Sequence, residues 1–263
     1  MVVLGMKNIS YNYVLECVFY LYLLPMQEDI YPKVLLCAPQ HSSKMYCWMP
    51  WIERVYSLSY PNFEIFIADN SDTMDNVSYM NTFDRVTAVY TPDRKKGLLQ
   101  RINDSHKQCV EYAKKNKFTW IFHLETDVFP PIDVIERLMC RKRPIIAGCY
   151  DIEFGKNRKS VIQIKEGLPR TVHGTNVFED IIDEEALFFD GTVKEVFRAG
   201  LGCILIHLDV FKALSFRVIK GINIHTDSIF AGDCFTLHKD IVVDTSIMCN
   251  HYNQEWLSKE QEY

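Results

Sequence analysis

Residues 118–131 read Phe118-Thr-Trp-Ile-Phe-His-Leu-Glu-Thr-Asp-Val-Phe-Pro-Pro131. Phe118 to Leu124 reads as a strand, and its strongly apolar part, Trp120 to Leu124, is of the kind that is buried on both faces. Two carboxylates, Glu125 and Asp127, follow at once, and Pro130-Pro131 then forces the chain to turn. Alternate residues leaving a strand can converge their oxygens when the chain bends, and hard oxygen donors suit Mg2+ or Mn2+. An arbitrary Glu-x-Asp is more often a pair of solvated loop acids. Here the apolar strand directly before it puts the pair at a buried strand's end, which favours a metal site.

Upstream, three β-rich runs bounded by polar or turn residues predict strands at Lys33–Ala38, Phe63–Ala68 and Val86–Tyr90. Helical spacing fills the gaps. Met45–Leu58 carries apolar residues at helix-like intervals and is stopped by Tyr60-Pro-Asn62. Leu98–Asn116 is a longer helix ending in the basic run Lys114-Lys-Asn-Lys117, which suits a helix C-terminus. Downstream, Ile132–Cys140 predicts a short helix and Pro144–Tyr150 another buried strand. Residues 151–197, with the acidic cluster Glu179–Glu185, read as an irregular or antiparallel excursion over the sheet. Regularity returns with the strand-like Ala199–Ile206, a helix from Asp209 to Leu214, and a tail from Asp227 to His251. Strand and helix alternate, so the expected class is α/β, a mainly parallel central sheet flanked by helices with a smaller antiparallel or irregular region.

The bulk numbers fit that class. The chain has 263 residues, 48% hydrophobic and 24% charged, enough for one large core. Its net charge of −5 lacks the global basic excess of a sequence-independent nucleic-acid binder. Nine cysteines form no CxxC pair and are odd in number, so neither a zinc knuckle nor a disulfide framework is legible, and a reducing compartment fits best. The implied localisation is cytoplasmic, with peripheral membrane association left open. Val14–Leu24 is apolar but shorter than the roughly 20 residues a spanning helix needs, so no stable membrane insertion is expected. Residues 1–25 read as a leader or appended segment, and 26–263 as a single domain with halves at 26–150 and 151–263.

In an open α/β sheet, ligands bind at the carboxyl ends of the strands. Those ends carry Ala38-Pro-Gln-His-Ser-Ser43, Ala68-Asp-Asn-Ser-Asp-Thr73 and Leu124-Glu-Thr-Asp-Val128, with no glycine between Gly5 and Gly97. The GxGxxG and GxxxxGK loops that bring backbone close to phosphate are therefore absent. A nucleotide diphosphate at this edge would have to be neutralised by a cation. Arg94-Lys-Lys96 reads as a solvated charge run, with contact to a diphosphate as the alternative.

In their order, these motifs resemble those of the GT-A glycosyltransferases, in particular the large family 2 group. Lys33-Val-Leu-Leu-Cys-Ala-Pro39 resembles the family's opening strand, and Ile67-Ala-Asp-Asn-Ser-Asp72 its second-strand signature, whose aspartate recognises the nucleobase. Arg101-Ile-Asn103 is similar to an Arg/Asn pair on the following helix, and Glu125-Thr-Asp127 to the DxD motif, with Glu in the first place. Ile146–Tyr150 and Ala199–Ile206 resemble the sugar-pocket strands. The resemblance implies transfer of a sugar from a nucleoside-diphosphate donor, a UDP-sugar foremost, to an acceptor hydroxyl, dependent on Mn2+ or Mg2+ and inverting. It implies donor binding by Pro39, Asp69, Arg101, Glu125 and Asp127, and a metal shell of Asp127, Glu125 and His251. The general base falls on Asp227, where Thr226 replaces the family's Glu, with Asp233 in reserve. The acceptor stays open among a glycan, a lipid-linked sugar, a protein and a modified DNA base. A sugar-1-phosphate nucleotidyltransferase and a non-catalytic GT-A-like binding module are the competing classes.

Overall fold

The computed structural model describes residues 31–91, 96–154, 157–160, 162, 189–222 and 224–252. The expected leader 1–25, Arg94 and Lys95, and the acidic cluster 179–185 lie outside the described residues.

Four strands run parallel at one side of the central sheet: β1 Val34–Gln40, β2 Phe63–Asp69, β3 Val86–Tyr90 and β4 Trp120–Leu124. Two residue pairs, β5 Val128–Phe129 and the late β12 Asn250–His251, form a separate antiparallel ladder. A hairpin of β7 Asp151–Phe154 and β8 Asn157–Ser160 stands apart as well. The remaining strands are β6 Ile145–Cys149, β9 Val193–Val196, β10 Cys203–His207 and β11 Ile241–Met248. The main sheet has eight strands in the order β3-β2-β1-β4-β10-β6-β11-β9, in which β10 and β9 are antiparallel to their neighbours and the other pairings are parallel. No helix among the described residues is long and apolar enough to cross a membrane.

Helices cover both faces because successive strand residues point to opposite sides. Val34, Leu36 and Ala38 of β1 pack with helix α1, Trp48–Tyr56, which buries Trp48, Trp51, Ile52 and Val55 on one stripe. The short helices α2, Asp75–Met80, and α4, Val134–Cys140, add Met80, Val134, Ile135 and Leu138 to the same cluster. Leu35 and Cys37 face the other way, onto Cys109, Val110 and Ala113 of the long helix α3, Leu98–Lys115. Phe230, Ala231 and Cys234 of α5, Thr226–Thr236, join that second cluster. Helix α3 stops because Lys117 takes a left-handed conformation, φ 58°, and lets the Phe118 amide donate back to the Ala113 carbonyl. The chain is thereby delivered straight into β4.

The expected elements are largely present, with differences that have local causes. The helix expected at Met45–Leu58 begins as a 3-10 turn, Ser42–Cys47, capped by His41, whose ring accepts from the Ser43 amide. The helix expected at Asp209–Leu214 is a 3-10 turn over Leu208–Lys212. The tail contains a full strand, β11, seated between β6 and β9.

Candidate active site

The carboxyl ends of β1, β2 and β4 share one edge of the sheet, since Gln40 pairs with Asp69, and Cys37 with His123 two residues before Glu125. Two contacts pin the acidic turn after β4. Thr126, fully buried, donates its hydroxyl to Gln40 Oε1 at 2.6 Å, and the Glu125 amide donates to the Gly202 carbonyl at 3.0 Å. The turn closes when the Val128 amide reaches the Glu125 carbonyl at 2.9 Å. Glu125 and Asp127 are thereby presented to the same point.

A cation already stands at that point. The Lys44 ammonium lies 3.0 Å from Glu125 Oε2, 3.0 Å from Asp127 Oδ1 and 2.9 Å from Asp127 Oδ2. His251 brings Nε2 to 3.4 Å from Asp127 Oδ2 on the other side. His251 is delivered by the β5–β12 ladder, in which it pairs with Val128, and the Tyr252 amide donates to the Asp127 carbonyl at 2.8 Å. Burial alone would push the Asp127 carboxyl up, but the hydrogen bond from His251 and the Lys44 charge outweigh it and hold the group below the usual carboxylate range. Burial works against the Lys44 ammonium in the same way, and the two carboxylates overcome it and raise its pKa.

Beside this cluster opens a cavity of about 490 Å3 lined by Pro39, Gln40, Lys44, Asn70, Arg101 and Glu125, among others. Asp69 stands behind its wall, fully buried; its Oδ1 accepts from the Ser71 amide at 2.7 Å, while Oδ2 has no hydrogen-bond partner among the described residues. Burial pushes the Asp69 carboxyl up. Arg101 donates Nη1 to the Asn70 carbonyl at 3.1 Å and approaches Asp72 at 3.5 Å, so part of its guanidinium is spent on holding the loop after β2.

The two base candidates separate clearly. Asp233 is clamped by both arms of Arg217, at 2.8 and 2.7 Å. Asp227, in the first turn of α5, accepts from the Ser228 amide at 2.7 Å, with Arg198 at 3.9 Å from its other oxygen. Tyr150 lies in the electrostatic field of Asp227 and of the acidic turn alike. Burial raises the pKa of this phenol, and the charges of Glu125, Asp227 and Asp127 all raise it further. The Tyr150 ring also lies 5.8 Å from that of His251.

Tyr150 and Gly202 meet closely. The Gly202 amide donates to Tyr150 Oη at 2.9 Å, and a Cβ on Gly202 would fall 2.6 Å from both Cζ and Oη of that ring. Gly202→Ala is expected to displace Tyr150 and cost about 1–3 kcal/mol, as over-packing does. Urea unfolding checks this, and an unchanged midpoint would show that the ring is not held there.

Another donor cluster lies deeper. Among the described residues, Cys37, Cys109 and His123 are the three metal-capable groups whose ligand atoms lie within 4.8 Å of one another. Glu125, Asp127 and His251 are spread more widely. All three members of the deeper cluster are core residues, and Cys37 Sγ lies 3.3 Å from His123 Nδ1. Burial pushes the Cys37 thiol up and the His123 imidazole down, so both of these groups are neutral. Its soft donors do not suit Mn2+ at a phosphate.

The acidic turn offers the hard oxygen donors that Mn2+ or Mg2+ takes, though its three side chains do not close as tightly as the deeper cluster. Three carboxylate oxygens already converge on one cationic nitrogen, and a ring nitrogen stands beside them. Lys44 had no role on sequence grounds, and Tyr150 entered only as the end of the segment Ile146–Tyr150 that resembles a sugar-pocket strand. The signal for Lys44 was its place after β1, which becomes informative once β1 and β4 are known to be neighbours.

No protein-family model matches the chain, and neither does any curated protein. Among solved structures, that of GalNAc-T7 with UDP, GalNAc and Mn2+ is similar, with a TM-score of 0.59 and 13% identity over 87% of this chain. The chain spans 44% of the length of that protein. At such identity the likeness shows the fold: a GT-A-like α/β architecture, with a mostly parallel central sheet flanked by helices.

Proposed function

We propose that the chain is a metal-dependent glycosyltransferase that moves a sugar from a UDP-sugar to an acceptor hydroxyl. The observation that carries this reading is the convergence of Glu125 and Asp127 on one cationic point, at the carboxyl edge of a GT-A-like sheet and beside a cavity large enough for a nucleotide. The similar fold of GalNAc-T7, solved with UDP and Mn2+, supports it.

In this reading Asp127, Glu125 and His251 hold the divalent ion. The ion supplies Lewis-acid neutralisation of the departing diphosphate. Pro39 and Arg101 line the donor cavity, and Asp69, whose unmatched Oδ2 is buried behind the cavity wall, would take an N–H of the nucleobase once that wall opens. The acceptor hydroxyl gives up its proton as it attacks the anomeric carbon. Asp227 is the base for that proton, because Asp233 is held by Arg217. Inversion, membership of the family 2 group and the DxD role of Glu125-Thr-Asp127 belong to the same proposal.

Incubation of the chain with Mn2+ and a panel of UDP-sugars should release UDP slowly, and chelation by EDTA should stop it. Formation of pyrophosphate instead would support a nucleotidyltransferase. Metal-dependent donor binding with no turnover in any acceptor mixture would support a binding module.

A further inference from the structure

We infer that Lys44 is a resident counter-ion of the metal site, which keeps the divalent ion out until donor arrives and then transfers its own charge to the donor's diphosphate. This rests on the glycosyltransferase reading above. Its basis is the position of one ammonium within 3.0 Å of three oxygens from two carboxylates. A divalent ion held by both Glu125 and Asp127 would compete with this ammonium for the same carboxylate oxygens.

Charge accounting shows what the exchange accomplishes. Two carboxylates and one ammonium leave the turn with one net negative charge, which repels an incoming diphosphate. Replacement of Lys44 by a divalent ion brings the carboxylates to neutrality and frees a positive charge at the cavity wall. Lys44 lines that cavity as well as the acidic turn, so one flexible four-carbon stem serves both positions. A free ammonium left without its carboxylates is poorly satisfied, whereas phosphate oxygens satisfy it. Metal and donor therefore bind together better than either binds alone. Position matters too: Lys44 sits on the 3-10 turn directly after β1, and its carboxylate partners are 81 and 83 residues away on the turn after β4. The pairing depends on the sheet order, which brings the turns after β1 and β4 together.

The test is Mn2+ binding, followed by electron paramagnetic resonance, for wild type, Lys44→Met and Lys44→Gln, with Asp127→Asn as the blank. Circular dichroism confirms that each variant is folded, and either Lys44 variant suffices. Without nucleotide, the Lys44 variants should bind Mn2+ at least about tenfold tighter than wild type, because two like charges have lost their neutraliser. With Mn2+ present, UDP should bind them about tenfold more weakly than wild type, measured by calorimetry, because the diphosphate has lost one charged contact. Mn2+ binding no tighter than wild type, or UDP binding unchanged, would overturn the inference. If no protein in the set, wild type included, binds UDP with Mn2+, it is the glycosyltransferase reading that fails; the nucleotide-free Mn2+ titration still reports on Lys44 as the resident cation.

Discussion

Asp127→Asn is expected to lower Mn2+-supported UDP release by at least ~10²–10³-fold, the scale of removing one preorganised electrostatic contact from a transition state. Asparagine keeps the shape of the side chain and its acceptor oxygen, so the Thr126–Gln40 clasp and the β5–β12 ladder should survive. What disappears is the charge on which Lys44 and His251 converge. Asp127 is nearly fully buried, so water cannot replace that charge. Lys44 keeps Glu125 and a third of its side-chain exposure, which limits the loss of stability to about 1–2 kcal/mol, below the cost of breaking a fully buried pair. Turnover assays with chelated controls, run beside urea titrations, separate the two effects. An Asn variant with full activity would remove Asp127 from the chemistry.

Acid should weaken the fold well above the range in which carboxylates titrate. His106 and His123 are buried with their rings 5.1 Å apart, against Phe216. Burial lowers the His106 pKa to about 3 and moves His123 in the same direction. The ordinary histidine value is about 6.5, so the unfolded chain takes up protons first as pH falls. The stabilising contribution of a neutral buried ring is therefore complete above about pH 6.5 and is lost progressively below it, by about 1.4 kcal/mol per pH unit for each ring. Asp69, whose carboxyl is pushed up, opposes this and offsets part of the slope. Asp127, with its lowered pKa, adds its own loss only when pH falls below about 4, the unfolded carboxylate value. Urea midpoints measured from pH 7 to 4.5 should fall steadily, and His106→Gln should flatten the fall. A level profile in that window would contradict the neutral buried pair.

Much of the architecture was legible from short-range pattern. The run Val86–Tyr90 is a strand over the predicted residues, and the long helix differs from the structure by one residue at its end, Lys115 in place of Asn116. Such elements carry their signal locally, in alternation or in 3.6-residue spacing. The insertion of β10 antiparallel between β4 and β6 was not legible, because a continuous apolar run such as Cys203–His207 does not encode the direction of its neighbours. At the site, Glu125 and Asp127 could be singled out from their own segment, because they leave one apolar strand together. Lys44 could not, since nothing within its own segment marks it. The base, Asp227 with Asp233 in reserve, came from resemblance alone, and the clamp of Arg217 on Asp233, 16 residues apart, is a tertiary fact that the sequence does not carry.

The two-residue ladder that carries His251 also has a temporal meaning. Asp127 and His251 are 124 positions apart in the chain, so their loop closes only when nearly all of the described protein is in place. Contacts of such high sequence separation form late in folding, after the local pairings that bear less closure entropy. A nascent chain can therefore complete the four parallel strands while the site still lacks one wall. In the reading proposed above, competence to hold the metal ion would be acquired last, as residue 251 docks beside Val128, and a chain halted before that point would be folded at one edge yet chemically silent.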